Sequence, residues 1–149
     1  MARVSTYLNF PHHTEEAFLF YKSVFGGEFT EPGIRRFGDM PPMDGMPPTP
    51  DELKNLVMHV ELPITGGHIL MGTDAPAQMG FTVNFGNNIH INLEPDSREE
   101  AKKLFDGLSA DGIVTMALQD VFWGAYFGSC TDKYGVHWMV NCNEKLNQH

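Results

Sequence analysis

His59 and Glu61 stand two residues apart in the alternating run Leu56 to Leu62. On a strand, residues i and i+2 share a face, so an imidazole and a carboxylate would sit side by side. Such a pair can act as general base toward a bound carbon acid. These two are the expected catalytic residues, with Tyr7 and His90 nearby if their strands come close. A His–Glu pair that only satisfies its own hydrogen bonds on an exposed sheet face has the same pattern. His59, His90 and His137 all fall on predicted strands, and three convergent imidazoles would be able to hold a metal. No two of them share a signature spacing such as HExxH, so polar residues lining or bordering a wet cavity are the simpler reading. Cys130 and Cys142 form no CxxC pair and read as buried free thiols. Lys22, Lys102 and Lys103 read as solvated helix positions.

The elements that would position these groups repeat. Val4 to Phe10 alternates as a half-buried strand, Pro11-His12-His13 breaks it, and Thr14 with Glu15 and Glu16 starts a helix. Ala17, Phe18, Phe20, Tyr21, Val24 and Phe25 give that helix its apolar stripe, and Gly26-Gly27 ends it. The order recurs from Asn88. Asn88 to Leu93 alternates, Pro95 to Ser97 breaks the run, and Ser97 with Glu100 resembles a capping box. Ala101, Leu104, Phe105 and Leu108 form the second stripe before Asp111-Gly112. Three strands are expected after each helix: Glu28–Phe37, Leu56–Leu62 and His68–Gly72, then Ile113–Leu118, Ala125–Thr131 and Val136–Cys142. Each half therefore reads β-α-β-β-β. One domain is expected over 1–149, with modules of about 1–80 and 81–149. The fold class is α+β: two paired modules form a curved, cup-shaped mixed sheet with the helices outside. The Gly38–Pro50 stretch, rich in proline and carrying Met40, Met43 and Met46, is read as a flap or a linker outside the sheets.

Bulk properties narrow the classes. The chain has 149 residues and a formal net charge of −9. That charge repels phosphate backbones, so nucleic acid is not expected as a partner. No apolar run approaches the roughly 18 residues of a membrane helix. Met1 to Phe10 lacks the apolar segment of a signal peptide, so a cytoplasmic setting is expected.

Period-2 reading gives each strand an apolar and a polar face. Val4 with Thr6, Leu8 and Phe10 oppose Ser5, Tyr7 and Asn9. Met58, Val60 and Leu62 oppose His59 and Glu61. Ile89, Ile91 and Leu93 should pack on a helix, opposite Asn88, His90 and Asn92. Val136, Trp138 and Val140 oppose His137, Met139 and Asn141. In a curled sheet the polar face is a cavity mouth, where small ligands bind. Trp123, Tyr126 and Phe127, in or near an edge strand, are expected in core or dimer contacts, with a pocket wall as the alternative.

Three segments carry a resemblance. They are Tyr7 to Phe10 followed by Phe20 to Glu28; Met58 to Glu61 followed by Gly67 to Met71 and Asp74; and Gln119 to Gly128 followed by Thr131 to Met139. Together they resemble the PhnB-like branch of the glyoxalase, bleomycin-resistance and dioxygenase superfamily, the vicinal oxygen chelate fold. The resemblance implies paired β-α-β-β-β modules and a homodimer, with no settled reaction. Some members carry the label demethylubiquinone methyltransferase, but this chain has no glycine-rich strand-loop-helix to cradle a methyl donor. Enzymes of the superfamily hold a divalent ion with two side chains per module. By motif those places fall at Ser5, Met71, Asn88 and Met139, and none is His or Glu. Two thioethers and two neutral oxygens suit no hard ion. The usual metal site is therefore expected to be absent, and no cofactor is expected. The expected ligand contacts are Ser5, Tyr7, Asn9, Met71, Asn88, His90, Trp123, His137 and Met139. Three functions follow in order: a protein that binds a small organic ligand, an enzyme using displaced histidines or metal-free acid–base chemistry, and an assembly module acting through Trp123 and Tyr126.

Overall fold

The computed structural model describes residues 1–41, 44–45 and 47–143. Met43 and Met46 of the expected flap lie outside the described residues, while Met40 is half-buried. The chain forms two compact units, Met1–Asn84 and Phe85–His149.

The first unit contains β1 (Thr6–Phe10), α1 (Thr14–Phe25), β2 (Arg35–Arg36), β3 (Val57–Pro63) and β4 (Ile69–Asp74). Its sheet runs β1-β4-β3-β2. β1 is parallel to β4, and the other neighbours are antiparallel. The second unit contains β5 (Ile91–Leu93), α2 (Arg98–Ser109), β6 (Ile113–Asp120), β7 (Tyr126–Thr131) and β8 (His137–Cys142). Its sheet runs β5-β8-β7-β6 with the same pattern of directions. The fold is α+β, with one helix and one four-stranded mixed sheet in each β-α-β-β-β unit. Neither sheet closes on itself.

The parallel pair in each unit requires a crossover, and the helix supplies it. α1 buries Thr14, Ala17, Phe18 and Tyr21, and α2 buries Ala101, Leu104, Phe105 and Leu108. Both helices sit close to their sheets because glycine faces them. A Cβ on Gly72 of β4 would stand 2.4 Å from the Phe18 ring, and one on Gly128 of β7 would stand 2.8 Å from the Phe105 ring. The helix starts are capped differently. The Ser97 hydroxyl accepts the Glu100 amide, as expected. No residue next to α1 caps it; Asp74, at the end of β4, accepts the Thr14 amide and the Val57 amide with its two carboxylate oxygens. In the second unit Asp132, 3% exposed, accepts the Trp138 indole N–H and the Tyr134 and Val136 amides.

Several expectations are corrected. The strand expected over Glu28–Phe37 shrinks to Arg35–Arg36. Pro32 has no ladder N–H, and Gly33 at φ 91° turns the chain. The strand expected from Asn88 begins only at Ile91, whose partner in β8, Trp138, is the first residue of the parallel ladder. Asn88 therefore lies in an exposed loop, and Ile89, 75% exposed, packs on no helix. Val4 precedes β1 and is exposed. In β3 the core positions are Val57, Val60 and Leu62, with Met58 only half-buried; the register slips there opposite Arg35 and Arg36. That slip is a bulge, and it breaks strict alternation.

Candidate functional site

The polar face of the first sheet brings together residues far apart in sequence. Tyr7 on β1 pairs in register with Met71 on β4, and Met71 with Glu61 on β3. His59 pairs with Arg35 on β2. Directly opposed residues share a face, as do residues two apart on one strand, so Tyr7, Met71, Glu61, His59 and Arg35 lie on one face. On it the Tyr7 hydroxyl lies 3.1 Å from His59 Nδ1, and His59 Nε2 lies 2.8 Å from Glu61 Oε2. An ionised carboxylate only accepts, so Nε2 carries the proton and donates to Glu61. In the neutral ring Nδ1 is then the acceptor for the Tyr7 hydroxyl. Arg3 Nη2 approaches the other Glu61 oxygen at 4.0 Å. Burial, and next the Glu61 charge, raise the Tyr7 phenol above its ordinary value, against a hydrogen bond with Thr73 that lowers it.

Beside this chain is a recess of about 230 Å³, walled by Thr30, Glu31, Gly33, Arg35, His59 and Glu61. The Thr30 amide is tied to the Glu61 carbonyl at 2.9 Å, which anchors the recess loop to β3. Arg35 has no ion-pair partner among the described residues. Sequence reasoning missed Arg35 and Glu31 because it read their segment as a strand. The Pro32-Gly33 pair was the signal for the turn that forms the wall.

The remaining expected contacts divide by unit. Ser5 directs its hydroxyl at the Met71 sulfur, 3.9 Å away. Asn9 is exposed on the polar side of β1. In the second unit His90 and His137 stack at a tilt, with ring centroids 5.4 Å apart. His137 Nε2 donates to the Gly86 carbonyl, and its Nδ1 accepts from the Thr131 hydroxyl, each at 2.8 Å. Met139 is half-buried between Asn92 and Ser129 in register. Trp123 sits in the turn after β6 and is 54% exposed against Phe122 and Phe127, so the core contact expected for it is not formed. Tyr126 carries the Arg98 guanidinium over its ring at 3.9 Å. Burial pushes the Cys130 thiol up to about 11, which leaves it a poor nucleophile.

The two units can be compared position by position. Tyr7 opposite Met71 corresponds to Asn92 opposite Met139. Two residues before each stand Ser5 and His90, so the counterpart of Ser5 is His90 rather than Asn88. Glu61 opposite Met71 corresponds to Ser129 opposite Met139, and His59 to Phe127. The His–Glu pair thus belongs to the first unit alone. For a divalent ion the first unit would offer a serine and a thioether, and the second an imidazole and a thioether. Of the three imidazoles expected on strands, His90 lies just before β5, and His59 and His137 already use both nitrogens. Among the described residues no group of three or more His, Cys, Asp or Glu could hold a metal. This donor set does not fit the hard or borderline ion of the superfamily.

Comparison with known proteins places this geometry. The family model described as 3-demethylubiquinone-9 3-methyltransferase matches residues 2–141. Protein YjdN of Escherichia coli K12 is 32% identical over 147 residues, covering 93% of each chain. The crystal structure of protein PA1353 from Pseudomonas aeruginosa superposes with a TM-score of 0.80 at 34% identity, over 95% of this chain and 98% of that one. A PhnB protein from Bacillus cereus gives 0.71 at 26% identity, over 95% and 99%. Solved structures described as glyoxalase/bleomycin resistance protein/dioxygenase share the fold at 18% and 11% identity. The chain therefore belongs to the PhnB-like family described as 3-demethylubiquinone-9 3-methyltransferase, and it shares its fold with the structures described as glyoxalase/bleomycin resistance protein/dioxygenase.

Proposed function

We propose that this protein binds a small organic ligand on the polar faces of its sheets, chiefly on that of the first unit, without a divalent metal. The observation that carries this reading is the hydrogen-bonded chain Tyr7–His59–Glu61 beside a recess of about 230 Å³. A polar cluster beside a concavity of that size suits a ligand smaller than a typical drug. The methyl transfer in the family description has little to rest on here. The first β-α junction is Pro11-His12-His13, and the start of α1 already has its Thr14 amide bonded to Asp74, which leaves an anionic side chain where a donor's negative groups would approach.

The test is a thermal-shift screen of small organic molecules against the protein, with and without Zn²⁺, Mn²⁺ and Ni²⁺. Ligands should raise Tm, and the gain should be lost in His59→Ala while the metals change nothing. A gain that needs one of the metals, or survives His59→Ala undiminished, would contradict the reading.

A second reading is turnover by metal-free acid–base chemistry, and the same chain of hydrogen bonds favours it. The homodimer expected from the resemblance is supported by β6. This outer strand leaves Ile113, Val114 and Met116 exposed, at 66%, 49% and 42%. Open apolar strand edges invite pairing with another chain.

A further inference from the structure

The pair expected to do chemistry, His59 and Glu61, has no free basic nitrogen to offer a ligand. His59 Nε2 is engaged by Glu61 and Nδ1 by Tyr7. The exposed end of the chain is Tyr7, at 48% exposed. We infer that Tyr7 is the ligand-contacting acid–base group, that His59 and Glu61 act through it as positioning residues, and that the ligand is a small acid whose proton sits on a phenolic or enolic oxygen. This rests on the reading that the polar face of the first unit is the ligand site.

The step balances without a co-reactant. The ligand O–H bond breaks and leaves its electron pair on the ligand oxygen. That proton goes to Tyr7 Oη as the Tyr7 proton passes to His59 Nδ1. The imidazolium so formed keeps its Nε2–H on the Glu61 carboxylate, which compensates its charge, as a carboxylate does for a base in a triad. Reversal returns the proton. Burial and Glu61 both disfavour a free phenolate at Tyr7, so the residue passes protons on rather than storing negative charge. Arg35, in register with His59 and lining the recess beside it, would supply the counter-charge on that side of the relay. The charged groups around the relay are Glu61 and Arg3 at one end and Arg35 with Glu31 at the other. The second unit has Asn92, Phe127 and Ser129 at the matching positions and so offers no such relay.

The probe is 4-nitrophenol, whose phenolate is coloured, titrated with the intact protein at a pH below the free phenol's pKa. Long-range ¹⁵N spectra of the histidines give the ring tautomer in parallel. The expected result is an Nε2–H, Nδ1-unprotonated His59 and a phenolate-to-phenol ratio about tenfold higher in the bound probe, equivalent to one unit of pKa. Tyr7→Phe should abolish the ionisation and keep the His59 tautomer. Glu61→Gln should lose both, since an amide can donate or accept. A His59 carrying its proton on Nδ1, or ionisation that survives Tyr7→Phe, would overturn the relay. A probe that binds and shifts the Met71 methyl signal without ionising would also overturn the relay, yet leave the binding reading standing. No binding of the probe by a protein with the expected tautomer would overturn the ligand class.

Discussion

A single carboxylate decides much of the local order in each unit. Asp132 holds the indole N–H of Trp138, which is 0% exposed, together with two turn amides. Asp132→Ala should strand three donors in or near the core and destabilise the fold by on the order of 3 kcal/mol, measured by urea unfolding. Glu15 pairs with Arg36 through two bonds of 2.8 and 3.0 Å. The hydrogen bond from Arg36 holds the Glu15 carboxyl below its ordinary range. Its contribution is therefore complete above the unfolded carboxyl pKa and fades as pH falls through the lower folded value. The pair is partly exposed and screened, so Glu15→Gln should cost only about 0.5 kcal/mol at neutral pH. The difference from wild type should vanish in acid, and one that grows as pH falls would refute this. At this scale the sequence showed the His59–Glu61 spacing plainly. It could not show that Tyr7 completes the chain, because that bond depends on the β1–β4–β3 register across some fifty residues.

The glycines set how closely elements pack. Gly72→Ala should push α1 off β4 through the Phe18 ring and cost about 1–3 kcal/mol in denaturant unfolding. An unchanged midpoint would mean that the helix has slack the contact distance denies. Element order was legible from periodicity and punctuation: both helices and the β-α-β-β-β order of each half come straight from apolar stripes, Ser97 and the Gly26-Gly27 stop. Element ends were less legible. Asn88 and Ile89 alternate correctly but have no partner strand, and alternation alone cannot tell a paired residue from an unpaired one. The bulge opposite Arg35 and Arg36 moved Val57 into the core place expected for Met58, because bulges leave no mark in a two-residue period.

For the molecule as a whole, no helix among the described residues is long and apolar enough to cross a membrane. The exposed apolar edge of β6 predicts that Ile113→Asp with Met116→Glu shifts the protein from dimer to monomer in sedimentation. A wild type that sediments as a monomer would remove that interface. The family was legible from three motif segments, since those residues also set the turns and glycine approaches of the fold. The four positions where the superfamily would hold a metal were legible only in part: three of them follow from the motifs, but the register was needed to replace Asn88 by His90. The central claim is that a ligand sits on the face shared by Tyr7, His59, Glu61 and Met71. The most direct measurement uses methyl-labelled methionine and a ligand found by the thermal-shift screen. The Met71 methyl, between Tyr7 and Glu61 in register, should shift on titration, and the shift should disappear in Tyr7→Phe with His59→Ala. A ligand that raises Tm yet moves the Met139 signal and leaves Met71 still would contradict the account.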